Sequence, residues 1–206
     1  MLTIWGRNNS TNVKKVLWCA EEIGLLYEWI PVGGSFGGTG DAAYRAMNPT
    51  GLVPTIRDGD FVLWESNAIV RYLASRYASG TLAPESPTER AGADRWMDFA
   101  STSLAAPFRD VFWGLIRTPP EKRDMTAIHS GQEKCASVFA IADRALSTQP
   151  WFSGASFGMG DIPLGCFAYA WFEMPIERPD LPHLAAWYSR LTERQAFRKT
   201  VMIGLS

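Results

Sequence analysis

The stretch NPTGLVPTIRDGDFVLWESNAI, residues 48–69, constrains the fold more than any other part of the chain. Val53–Arg57 and Phe61–Trp64 are short β-like runs, and Asp58-Gly59-Asp60 between them is a hairpin signal. Pro54 cannot donate to a ladder, so its run belongs at an edge or a strand start. Only about 5% of X-Pro bonds are cis, so the sequence alone favours a trans Val53–Pro54 bond. A cis bond would turn the N–H and C=O of Val53 outward, free to pair with an extended peptide-like ligand. Directly after the second run come Glu65-Ser66-Asn67, and then Ile69, Tyr72, Leu73 and Tyr77 at helical spacing.

The residues before this stretch supply the rest of a sheet. Leu2–Trp5 is an apolar run stopped by Gly6, and Tyr27–Val32 reads as a second strand. Between them Val13, Val16, Leu17, Ala20 and Ile23 mark a helix, with Ser10 at the N-cap position and Gly24 at its end. The loop GGSFGGTG and a short helix, residues 41–47, lead into Asn48-Pro49. The order is βαβαββα, two parallel strands first and an antiparallel hairpin last.

Composition changes after residue 79. SGTLAPESPTE holds two prolines and little to bury, and residues 80–89 read as a linker. Beyond it only helical patterns remain, over 90–117, 132–146, 161–172, 184–191 and 195–202. The expectation is an α/β domain over 1–79 and an all-helical domain over 90–206.

Several function classes are disfavoured. A net charge of −1 gives no electrostatic footprint for nucleic acid or an anionic membrane. No apolar run reaches membrane-span length, and MLTIWGRNNS lacks a secretory layout. Cys19, Cys135 and Cys166 are few and scattered, so neither a disulfide framework nor a metal site is expected, and a reducing cytoplasm fits. His129 and His183 both fall in the helical half, so no Ser-His-Asp pattern is visible. GTGDAA, residues 38–43, fits a dinucleotide fingerprint, but the helix after it is too short for that crossover.

What remains is a surface suited to an amino-acid-like ligand. A helix N-terminus near Ser66 offers free N–H groups to a carboxylate, and Glu65 can accept from an ammonium. Ser66 also has the plain reading of an N-cap. Ser10 is either an N-cap or a donor to a bound thiolate.

These residues resemble the cytosolic glutathione transferases: the βαβαββα order is that of the thioredoxin fold, and NPTGLVPTI…DG…LWESNAIVRYL is similar to that family's glutathione-binding half. The resemblance implies a cis Pro54, backbone pairing of Val53 with the cysteinyl unit of glutathione, and a γ-glutamyl site at Glu65 and Ser66. It puts Ser10 where serine-type theta and phi enzymes carry their activating serine. Asn12 falls where some bacterial relatives of the nu class carry a ligand-facing asparagine. Glutathione would be the co-substrate, with no metal, beside a hydrophobic electrophile or a disulfide held by the helical domain, and the assembly a homodimer. Glutathione-dependent disulfide or peroxide reduction and a non-catalytic binding module of the same fold are the alternatives. No basic side chain in GGSFGGTG is available for the glycyl carboxylate, which leaves Arg7, Arg45 or loop amides. Phe108, Phe112, Trp113 and Trp171 are candidates for an apolar wall. Asp161 is expected to be structural, with Gly158 standing where the family has a capping Ser or Thr.

Overall fold

Leu2–Trp5 (β1), Tyr27–Ile30 (β2), Thr55–Asp58 (β3) and Phe61–Trp64 (β4) make one sheet in the order β2-β1-β3-β4 in the computed structural model, which describes residues 1–206. β1 and β2 are parallel, so a crossover must join them, and helix α1 (Thr11–Ile23) is that crossover. β3 runs antiparallel to both β1 and β4, and a two-residue turn, Gly59-Asp60, closes the hairpin. Ile4 of β1 lies opposite Ile56 of β3, and both are fully buried. α1 packs against α3 (Ser66–Tyr77), and the short α2 (Ala42–Met47) precedes β3. The architecture is the thioredoxin-like βαβαββα order expected from the sequence.

Helices α4 (Pro87–Phe99), α5 (Ala105–Phe112), α6 (Met125–Leu146), α7 (Asp161–Glu173), α8 (Pro182–Thr192) and α9 (Gln195–Thr200) form the second half. Residues 161–171 of α7 are all buried, the pattern of a helix surrounded by others. α1 packs against both α7 and α9, so one apolar core runs from Leu2 through Trp18 to Val201. This second layer explains why Lys14 and Lys15, off the apolar stripe of α1, are nonetheless buried.

Several element boundaries differ from the sequence expectation. β3 starts at Thr55, not Val53, because Pro54 has no N–H for the ladder. β2 ends at Ile30. α4 begins at Pro87, inside the expected linker, with Ser86 at the N-cap position and proline at N1. α6 begins at Met125, seven residues before residue 132, and the Asp124 side chain caps it by accepting from Ala127 N at 3.0 Å. The single helix expected over 90–117 is interrupted by two π-helical turns, Ala100–Leu104 and Trp113–Arg117. Pro107 follows the first and lacks the N–H a regular turn would use there.

Candidate active site

A segment with no regular structure, residues 48–54, sits at the centre of the candidate site, and polar side chains fix it. Tyr44 Oη donates to Leu52 O at 2.7 Å, and Asn48 Nδ2 donates to Leu52 O at 2.9 Å and Thr55 Oγ1 at 3.0 Å. Within this clamp the Val53–Pro54 bond is cis, as the family resemblance implied and against the trans bond favoured by frequency alone. Neither the N–H nor the C=O of Val53 enters an intramolecular hydrogen bond.

A cleft of about 550 Å³ opens beside Val53. One wall comes from the β1–α1 loop and the start of α1: Arg7, Ser10, Thr11 and Asn12. Phe108, Arg109, Phe112, Trp113 and Arg117, on α5 and the π turn after it, form the other, with Phe167 of α7 beside them. The two π turns thus flank the helix that faces Ser10. Trp171 is not in this wall. It is buried against Phe139 in the core of the helical half, where α7 turns it away from the cleft.

Ser10 holds the N-cap position of α1 with extended backbone, but its side chain caps nothing. Its hydroxyl is therefore free beside the unpaired N–H groups of the first turn. Asn12 is exposed, and its Oδ1 accepts from Lys15 Nζ at 2.9 Å and Ser66 Oγ at 3.3 Å. Ser66 is not the N-cap of α3. It is the first helical residue, and Glu65 precedes it with φ +74°, the one non-glycine residue in the chain with positive φ. A side chain in that region costs about 1–3 kcal/mol, and such strain concentrates at ligand clamps. Asn67, next in line, donates to Met97 O at 2.6 Å and Ser101 Oγ at 3.0 Å, joining α3 to the helical half.

The cleft is cationic. Arg7, Arg109 and Arg117 line it and no acidic residue does. Arg7 Nη1 donates to Asn9 Oδ1 at 2.7 Å and Arg117 Nη2 to Asn9 O at 3.2 Å, so one loop residue gathers both guanidiniums. Burial lowers the pKa of each, and repulsion from Arg7 lowers that of Arg117 further. Arg45 is held elsewhere, donating to Pro49 O at 2.9 Å and packing on Gly51. Of the two arginines considered for the glycyl carboxylate, only Arg7 lines the cleft.

No thiol reaches the cleft. Cys19, Cys135 and Cys166 are buried, and burial raises the pKa of each. A second cleft, about 630 Å³, opens at the opposite end of α1, and the Arg194–Glu22 and Lys199–Glu21 ion pairs tie together four of the charged side chains that line it.

Ser10, Asn12 and Val53 therefore share one cleft, and Ser66 joins it through Asn12. Pro54 is buried behind Val53, and Glu65 stands exposed beside Ser66. Residues 9–76 match the family profile described as glutathione S-transferase, N-terminal domain, and residues 104–195 match glutathione S-transferase, C-terminal domain. The chain belongs to the glutathione S-transferase family. It is an enzyme of that kind: glutathione S-transferase GstB of Escherichia coli (strain K12) is 50% identical over the full length of both chains. Glutathione S-transferase F14 of Arabidopsis thaliana is 32% identical, over 97% of this chain and 80% of its own. A theta class glutathione S-transferase of the citrus canker pathogen Xanthomonas axonopodis pv. citri, solved with glutathione bound, superposes with a TM-score of 0.97 at 58% identity, covering 100% of this chain and 99% of that one. Sequence reasoning missed Arg117, Phe167 and Lys15, which tertiary packing brings to the site. No helix is long and apolar enough to cross a membrane.

Proposed function

We propose that the enzyme binds glutathione along Val53, Glu65 and Ser66 and directs its thiolate from the start of α1 at an electrophile held against Phe108, Phe112 and Trp113. The observation that carries this is the Ser10 hydroxyl, unengaged at a helix N-terminus, in a cleft whose far wall is aromatic. A free thiol has a pKa of about 8.5, and lowering it by ~2 units requires roughly 2.7 kcal/mol of preference for the thiolate. A hydroxyl donor, the Asn12 amide, the first-turn N–H groups and the field of Arg7 and Arg117 together supply interactions of that size.

The Val53 N–H and C=O would pair with the cysteinyl unit, and the cis Pro54 would keep them turned outward. The free N–H groups at the start of α3 would take the γ-glutamyl carboxylate, with Ser66 donating and Glu65 accepting from the ammonium. Ser10 would donate to the sulfur and Asn12 would assist it. The helical half, residues 90–206, would hold the electrophile, and the assembly would be a homodimer working in the cytoplasm. The burial of all three cysteines favours conjugation over disulfide chemistry by a protein thiol.

Steady-state kinetics with glutathione and chlorodinitrobenzene, compared with a mixed disulfide of glutathione, test the reading. Ser10→Ala is expected to lower turnover more than glutathione affinity, with the aryl halide the better substrate. Equal turnover in Ser10→Ala and the parent would remove Ser10 from the mechanism. A much faster mixed disulfide, with Asn12→Ala the more damaging change, would make the enzyme a reductase.

A further inference from the structure

Lys15 is a buried cation with a neutral partner. It is 2% exposed, its single hydrogen bond runs from Nζ to Asn12 Oδ1 at 2.9 Å, and Nζ stands 5.1 Å from the Phe167 ring centroid. An ammonium taken from water with only an amide to accept from it opposes folding, so packing alone does not account for a lysine here. Its charged and titratable neighbours are Glu65, ahead of α3, and the thiol of Cys166 on α7, which burial keeps protonated.

The bond to Asn12 has a directional consequence. A lysine only donates, so the atom of Asn12 that faces it must be the oxygen. Ser66 Oγ occupies the same oxygen at 3.3 Å. Lys15 holds Oδ1 inward whether or not the single Ser66 proton turns to a ligand, so the NH₂ of Asn12 is left for the cleft that this residue lines.

We propose that Lys15 is a positioning residue for the reaction: it locks the Asn12 amide with its NH₂ toward the bound sulfur and sets a positive charge behind it. The role rests on the glutathione reading of the cleft. Lys15 touches neither substrate and acts through Asn12.

Lys15→Met keeps the unbranched apolar stem of the side chain and removes its donors and charge. Three readouts separate a positioning role from a structural one: thermal midpoint, glutathione affinity, and the ultraviolet titration of the bound thiol. Lys15→Met is expected to keep or raise the midpoint and to bind glutathione as the parent does. Its bound thiol is expected to titrate at higher pH, with kcat for chlorodinitrobenzene lower by roughly five- to tenfold, the scale of one charge-assisted hydrogen bond. Asn12→Ala should lose a similar factor, and the double variant no more than the larger single loss.

Asn12→Asp serves as the second variant, because it keeps a partner for Lys15 while replacing the NH₂ by oxygen. It should fold at least as stably as the parent and lose at least as much turnover as Asn12→Ala. An unchanged thiol titration and kcat in Lys15→Met, additive losses in the double variant, or parental turnover in Asn12→Asp would each overturn the role of Lys15. Failure of the parent to bind glutathione would instead remove the reading of the cleft on which it rests.

Discussion

Ser66 Oγ donates to Asn12 Oδ1 at 3.3 Å, tying the start of α3 to the start of α1. Two helix N-termini, one proposed for the γ-glutamyl end and one for the thiol of the same ligand, are thereby held in register. Ser66→Ala removes the tie and, with it, the one hydroxyl proton that would turn from Asn12 to the γ-glutamyl carboxylate when glutathione binds. Its Michaelis constant for glutathione is expected to rise about tenfold, the size of one lost hydrogen bond to a charged group. Turnover at saturating glutathione should fall much less, and initial-rate measurements at varied glutathione check the split.

Glu65 bears a side chain where glycine is the comfortable residue, at φ +74°. Glu65→Gly should therefore raise the urea midpoint by an amount equivalent to about 1 kcal/mol, because the left-handed penalty disappears. The same change deletes the proposed acceptor for the ammonium, and calorimetry should find glutathione bound at least tenfold more weakly. Opposite signs for stability and affinity are the expected signature. Lower stability in the glycine variant would count against strain at this position.

Asp161 is a structural hub. Its carboxylate accepts from Phe152 N at 2.8 Å, Ser153 N at 3.2 Å, Gly158 N at 3.1 Å and Trp187 Nε1 at 2.9 Å, all with the side chain buried. Asp161→Ala leaves several donors without partners and should destabilise by about 3 kcal/mol or more in urea unfolding. Gly158 is not simply a weaker cap. A Cβ there would lie 2.8 Å from Ser153, whose Oγ accepts from Gly160 N at 3.0 Å. The hydroxyl that a Ser or Thr at 158 would bring is thus supplied by Ser153. Gly158→Ser is expected to lower stability, whereas the capping argument alone would have it rise.

Lys15 also has a pH signature. Burial lowers its pKa to about 8. In the unfolded chain it titrates near 10.4, so between about pH 8 and pH 10 the unfolded state holds the extra proton. The penalty of burying charge is therefore full below pH 8 and fades as pH rises. Lys15→Met should be more stable than the parent at pH 7, by about 2–4 °C for each kcal/mol relieved, with the gap narrowing toward pH 10. Comparing the variant with the parent cancels the tyrosines and cysteines that titrate in the same range. A gap that widened with pH would contradict the assignment.

The hairpin and the element order were legible because each is written in local chemistry, a proline that cannot pair, a turn glycine and residues at helix starts, whereas the grouping of Ser10, Asn12, Val53 and Ser66 came from the family resemblance, since nothing local marks Asn12 or a cis Pro54. Lys15 was not legible. Its position off the apolar stripe of α1 reads as solvent-facing, and the helix that covers it, α7 with Cys166 and Phe167, comes more than 140 residues later. The π turns escaped for a related reason, since widened turns disturb the 3.6-residue period without replacing it. Trp171 was misplaced because an aromatic on a helix surrounded by helices carries no mark of which way it faces.

An ultraviolet difference titration of bound glutathione against pH tests the claim that the start of α1 holds glutathione as its thiolate. The expected result is a thiol titrating about 2 units below its free value of ~8.5 in the parent, and closer to that value in Ser10→Ala and Asn12→Ala. Glutathione bound with an unshifted thiol would contradict the claim.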